Sequence, residues 1–223
     1  MNLDEVPAVI DVHSPHEPIH GWRDFFLHLT TITIGLLIAL SLEGFVEWQH
    51  HRHLVHEAKA SLHGEIQNNA KDLPNVIADL HKQQDNLKHD VTVLKYLIKS
   101  HKMPEHDHME IAFRITNFDD VSWKTAQATT ALSYMSYAEA QDYADIYITQ
   151  DELFTTEQQA ARDAVTSLGP LVNEAKGDPD MTPEQADAMK QKIEVLQGQL
   201  LLVDALMTSL DQEYKKFLTA HPA

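Results

Sequence analysis

Three groups of side chains have the types and spacing for chemistry. On one stretch of His50, His51, His53, His56 and His63, the residues His53, His56 and Glu57 sit about one helical turn apart, where imidazole and carboxylate can share a divalent ion. The same residues serve equally as a polar collar where a helix enters a headgroup layer. His106-Asp107-His108 offers a second metal corner, although no partner pair stands at a fixed distance from it, and His13, His16 and His20 form a third, looser set. The aromatic residues Phe113, Phe118, Trp123, Tyr134, Tyr137, Tyr143 and Tyr147 crowd one part of the chain. Of these, Trp123, Tyr134, Tyr143 and Tyr147 are candidates to line a pocket; aromatics at helical spacing also build cores. No serine–histidine–acid or cysteine–histidine set, phosphate-cradling glycine loop or inward pair of carboxylates stands out, so neither enzyme activity nor a cofactor is expected.

The element that must position these groups is Phe25–Leu42, FFLHLTTITIGLLIALSL, whose only ionisable side chain is His28. As a helix the run covers roughly 27 Å, close to the ~30 Å of bilayer hydrocarbon, and Trp22 and Trp48 flank it about 39 Å apart, near the two interfaces. It predicts a transmembrane helix. A cleaved signal peptide ending at Ala39-Leu40-Ser41 is the alternative, but the leader is long and acidic where a signal is short and basic. Within the span, Thr31, Gly35, Ala39 and Glu43 recur every four residues, one stripe of small side chains ending in an acid, suited to close packing of helices in lipid.

Composition bounds the remainder. A formal charge of −17, from 34 acids against 17 Lys and Arg, argues against nucleic acid as a partner. Fourteen of the fifteen histidines precede residue 109; full protonation would bring the total from −17 to −2 and remove most of the self-repulsion. Cysteine is absent, excluding disulfides and thiolate metal sites. Seven glycines in 223 residues point to long helices.

Read in order, residues 1–21 form a disordered or extended arm with three prolines and no Lys or Arg before residue 20. The transmembrane helix with its flanks occupies 22–48, and nothing stops it through a helical stalk at 49–73, where Val55, Lys59, Leu62, Ile66, Asn69 and Leu73 keep a rough 3-4 spacing. Pro74 predicts a kink or the start of a new helix. A helical bundle then fills 74–223. Its first seam is Ile77, Leu80, Gln84, Leu87, Val91, Leu94 and Ile98, coiled-coil-like with one polar member. Ser100–Met109 is a loop. Asp120 caps a helix over Val121–Ser133, and Ser136 with Glu139 forms a capping box for one carrying Tyr143, Ile146, Leu153, Ala160, Ala164 and Leu168 inward. Pro170 bends or ends that helix, and Gly177–Asp180 is a turn. Thr182-Pro183-Glu184-Gln185 starts the last helix, with Ala186, Met189, Ile193, Leu196, Leu200, Val203, Met207, Leu210, Tyr214 and Phe217 as its seam.

The expected fold class is therefore all-α: a single transmembrane helix continuing into a long stalk, then an antiparallel helical bundle. Charge on the two sides of the span, Arg23 against Arg52 and Lys59, gives no usable bias. A short N-terminus without a separate signal suits a signal-anchor, with a cytoplasmic N-terminus and an external C-terminal domain.

The segment Ile34-Gly35-Leu36-Leu37-Ile38-Ala39-Leu40, its acidic and aromatic exit (Glu43, Phe45, Glu47, Trp48) and the charged helix ending near Asn68-Asn69 resemble a family of uncharacterised bacterial single-span membrane proteins. Trp123, Leu132 to Tyr134 and Tyr143 to Tyr147 are similar as well, so the resemblance covers about half the chain. It implies an inner-membrane location and a helical extracytoplasmic domain, and it brings no activity. The arm departs from the family, being acidic and histidine-bearing where basic residues are expected.

The leading functional expectation is an assembly or accessory subunit whose partners are the lipid bilayer and either further copies of itself or a larger membrane complex. A sensor-like ligand-binding bundle is the main alternative; with no second span or cytoplasmic module before Ala223, it would signal through a partner. Metal buffering by the histidine-rich half is a third.

Overall fold

The computed structural model describes residues 21–102, 104, 109, 114–177 and 181–222, with backbone alone at 167 and 169–177. Among these residues the protein is all-helical and no strand occurs: α1 (Trp22–Ser100), α2 (Val121–Ala128), a 3-10 turn (Ala131–Tyr134), α3 (Tyr137–Gly177) and α4 (Pro183–Ala220). The arm before residue 21 and the Gly177–Asp180 turn beyond Gly177 lie outside the described residues. Contacts divide the chain into two units that meet between His50 and His51.

In the first unit every residue of α1 from Trp22 to His50 is exposed. The carbonyl of Gly21 accepts from Asp24 N (3.1 Å) and Phe25 N (3.2 Å), starting the helix. Three hydroxyls on this stretch bond back to the preceding turn: Thr31 Oγ1 to Leu27 O (2.9 Å), Thr33 Oγ1 to Leu29 O (2.8 Å) and Ser41 Oγ to Leu37 O (2.7 Å). Each of these three hydroxyls therefore has its partner within its own helix. Two helices, α1 and α4, are long and apolar enough to cross a membrane. In α4, 33% of the most apolar window is buried inside the protein; in α1 none is.

The second unit gathers its core from all four helices and the 3-10 turn. On α4 all ten seam residues from Ala186 to Phe217 are buried, as their spacing predicts. The start is also as expected: Thr182 Oγ1 accepts from Gln185 N (3.3 Å) while Gln185 Oε1 accepts from Thr182 N (2.9 Å). On α3 the six expected inward residues, Tyr143 to Leu168, are all buried. Of the α1 seam, Leu80, Leu87, Val91 and Leu94 are buried, Ile77 and Ile98 pack partly against the core, and Gln84 Nε2 donates to Leu200 O (3.2 Å). The polar seam member is thus satisfied by a backbone carbonyl of α4. Across α3 and α4, Tyr143 meets Phe217 with ring centroids 5.1 Å apart, Asp142 meets His221 at 3.2 Å, and Gln199 Nε2 donates to Asp163 at 2.7 Å.

Several elements differ from expectation. Residues 51–73 are no bare stalk, because Leu62, Ile66 and Leu73 are wholly buried and belong to the core. The 3-4 spacing of that stretch lies in phase with the seam beginning at Ile77, so one apolar face runs through Pro74. The helix does the same. Pro74 neither ends α1 nor opens a new helix: its ring is exposed, and the lost hydrogen bond and ring clash, together costing about 3 kcal/mol, are offset by the buried leucines on either side, Leu73 and Leu80. The helix expected over Val121–Ser133 stops at Ala128, since Thr130 takes a left-handed φ of 59° and the chain resumes as the 3-10 turn that buries Ala131. Asp120 makes no side-chain cap; its carboxylate pairs with Lys124 at 2.6 Å. At α3 only half of the capping box forms. Ser136 Oγ accepts from Glu139 N (3.4 Å), but the Glu139 carboxylate turns to Lys59 of α1 (2.6 Å). Helix α3 also does not end at Pro170 but continues to Gly177.

The seam allows a sharp contrast between neighbours. Leu200 is 1% exposed and Leu201 is 65% exposed. Leu200→Asp buries a lone carboxylate and should lower stability by several kcal/mol, enough to abolish the helical melting transition, whereas Leu201→Asp should change it by no more than about 0.5 kcal/mol. Thermal circular dichroism of both variants checks this.

Candidate functional site

The small-residue stripe of the first unit is held by α1 alone. Thr31, Gly35, Ala39 and Glu43 lie on successive turns and are all exposed, and a Cβ built on Gly35 meets nothing within 4 Å. One side of the helix backbone is therefore open to close approach. The remaining faces present Leu36, Leu37 and Leu40.

Of the proposed metal residues, His53 Nε2 lies 3.1 Å from Glu57 Oε1, on the exposed side of α1, and His56 is exposed beside them. They border a groove of about 690 Å³ between α1 and α2, whose far wall includes Ser122 and Thr125. Among the described residues no group of three His, Cys, Asp or Glu is placed to hold a metal ion. His106 and His108, like His13, His16 and His20, lie outside the described residues. Histidines outside the proposed metal set join helices. His81 Nε2 lies 2.9 Å from Asp204 Oδ1, linking α1 to α4; His63 Nε2 lies 2.8 Å from the carbonyl of His221, whose own ring meets Asp142 of α3.

The four candidate pocket aromatics divide among separate contacts. Trp123 and Tyr147 stack face to face, centroids 4.9 Å apart and 7° from parallel. Tyr143 packs on Phe217, and Tyr134 stacks on His51 at 3.7 Å. Burial, with Glu139 and Asp142 nearby, pushes the Tyr143 phenol up to about 12. Burial together with the Glu65 carboxylate pushes Tyr147 higher still, so its neutral hydroxyl donates to Glu65. Phe113 lies outside the described residues.

Spacing singled out Asn69 but not its companions in a set of buried polar side chains that hold the segment leading into α2. Glu65 accepts twice: from Tyr147 Oη at Oε1 (2.6 Å) and from Ser122 N at Oε2 (2.7 Å). Its charge thus sits in the first turn of α2, where the helix dipole favours an anion, and replaces the cap that Asp120 does not make. Asn69 forms a two-pronged pair with the backbone of Asp119, donating to its carbonyl (2.7 Å) and accepting from its N–H (3.1 Å). Glu157, on α3, accepts from Thr116 N at 2.9 Å. The one signal in the sequence was a polar residue within an apolar stripe: Asn69 between Ile66 and Leu73, and Glu157 between Leu153 and Ala160.

Burial pushes the Glu157 carboxyl up to about 7, against the lowering effect of the Thr116 N–H. An acid whose folded pKa is raised stabilises the fold while protonated, fully below its unfolded value near 4.3, and that contribution is lost as pH rises through about 7. Glu157→Gln should therefore remove part of the stability loss between about pH 5 and pH 8. Denaturant midpoints of parent and variant across that range check it, and the histidine background common to both cancels in the difference. Comparison of the chain with protein-family models, curated proteins and solved structures returned no match.

Proposed function

We propose that the chain is a membrane-anchored helical assembly or accessory subunit that acts through protein–protein contacts rather than by catalysis. In this reading α1 crosses the bilayer over about residues 25–42, and residues 51–223 form an antiparallel bundle outside it. The order of the α3 and α4 contacts, Asp142 with His221 and Asp163 with Gln199, supports the antiparallel arrangement. The choice of α1 over α4 as the span rests on surface: α4 has committed its seam to the core, while the apolar stretch of α1 buries none of its surface within the protein. An inner-membrane location with a cytoplasmic N-terminus follows the family resemblance and the signal-anchor reading.

The observation that carries the proposal is the open stripe of Thr31, Gly35, Ala39 and Glu43 on a wholly exposed helix. Lipid already satisfies apolar surface, so association in a membrane comes from close packing and interhelical hydrogen bonds, both of which small residues permit. Glu43 ends the stripe as an acid near the interface, where a hydroxyl or imidazole from a partner would hold it.

Gly35→Leu fills the stripe with bulk that meets nothing within its own chain and leaves the span as apolar as before. Insertion should be unchanged, while self-association or partner recovery in membranes should fall about threefold to tenfold, corresponding to about 1 kcal/mol of helix packing. Equal recovery for variant and parent rejects the interface. Topology has its own test, because the parent lacks cysteine. A single cysteine at the exposed Glu152 should react with a membrane-impermeant maleimide from the extracytoplasmic side; reaction only after lysis reverses the orientation.

A further inference from the structure

A cavity of about 220 Å³ lies where α1, the segment 114–116, α3 and α4 meet. Its one buried ionisable wall is Glu157, 2% exposed. The other charges on its lining compensate each other: Arg114 Nη1 lies 3.3 Å from Asp79 Oδ2, both toward solvent. The Arg114 backbone N–H is taken by Gln83 Oε1 (3.1 Å), which fixes the segment over the opening. Leu80, Ile115 and Met207 supply apolar walls. With the Asp79–Arg114 pair neutral, an ionised Glu157 leaves the cavity one negative charge in excess, opposed by the N–H and the hydroxyl of Thr116.

We propose that this cavity binds a small primary ammonium ion, its N–H donors on the Glu157 carboxylate and its alkyl group against Leu80, Ile115 and Met207. Size sets the class: the volume is below the ~300 Å³ at which drug-sized ligands begin, leaving room for about seven non-hydrogen atoms at ~30 Å³ each. Donor chemistry excludes a divalent metal, which wants several oxygens, because the other carboxylate of the lining, Asp79, is already engaged by a guanidinium. A zwitterionic amino acid would have to win Arg114 from Asp79. The ammonium needs only the acid. Affinity for so small a ligand is about millimolar. The charged groups facing Glu157 are Asp79 from α1 and Arg114 from the connecting segment; α4 contributes the uncharged Met207. Binding uses ionised Glu157 and an ammonium that stays protonated, so it strengthens from about pH 5.5 to about pH 8. The site is independent of the reading of the span.

The test is thermal-shift and calorimetric titration of the full chain in detergent micelles with n-propylammonium chloride, using potassium chloride at matched ionic strength as the reference. The expected result at about pH 8 is a saturable shift with a millimolar midpoint, weakened about fivefold or more at about pH 5.5. It should be lost in Glu157→Gln and retained in the surface control Glu152→Gln. Ile115→Trp, at the half-open mouth, should block binding while leaving the acid in place, and it serves as the deciding variant if Glu157→Gln does not fold. No saturable response at about pH 8, a shift equalled by potassium chloride, or full binding in the deciding variant overturns the proposal.

Discussion

The second unit depends on one constraint: where a connecting segment packs against helices, the backbone polar groups it turns toward them must be satisfied by side chains of those helices. Three residues meet it. Glu65 and Asn69, one turn apart on α1, take up Ser122 and Asp119, and Glu157 on α3 takes up Thr116. The peptide links from 116 to 122 are thereby tied to two different helices at three points. Removing Glu65 would strand both a phenol and a helix-terminal N–H, and orphaned groups of this kind cost more than the net worth of the bonds themselves. The stacking of Trp123 on Tyr147 follows from the same arrangement, since the Tyr147 hydroxyl is anchored on Glu65 and its ring faces the first turn of α2.

This explains what was legible in the sequence. The seam of α4 was readable to the residue, because ten apolar positions in 3-4 alternation admit one buried face and the capping box is local chemistry between Thr182 and Gln185. The inward residues of α3 were readable for the same reason. The entry to α2 was not: Asp120 has the right type for a cap, but Glu65 is 57 residues away and reaches the same N–H groups from the core. Nothing in a local pattern records such a competitor. Glu139 is a similar case, drawn from its box to Lys59, as is Thr130, whose left-handed backbone follows from the burial of Ala131 rather than from any glycine.

Pro74 shows how tertiary burial overrides a local signal. A proline inside a helix removes one hydrogen bond, a fixed local cost, whereas ending α1 there would give up the register that places Leu62, Ile66 and Leu73 in phase with Leu80 and Leu87. The phase was present in the sequence, running unbroken from Leu62 to Ile98. Weighting that run above the single proline would have joined the stalk to the bundle. The candidate site was legible to a different degree. The small-residue stripe needs spacing alone, but a buried acid such as Glu157 is indistinguishable in sequence from the exposed acids around it until the packing of Met207 and Thr116 is known.

The histidines acquire a structural meaning that their clustering in the sequence did not suggest. His81 of α1 lies 2.9 Å from Asp204 of α4, and His221, just past the end of α4, lies 3.2 Å from Asp142 of α3, so imidazole–carboxylate contacts tie the last helix to both of its neighbours. These side chains are exposed or part-exposed, and surface contacts of this kind contribute about 1 kcal/mol or less, too little to hold the bundle. The apolar seam sets the fold, and the histidine–aspartate pairs adjust its margin.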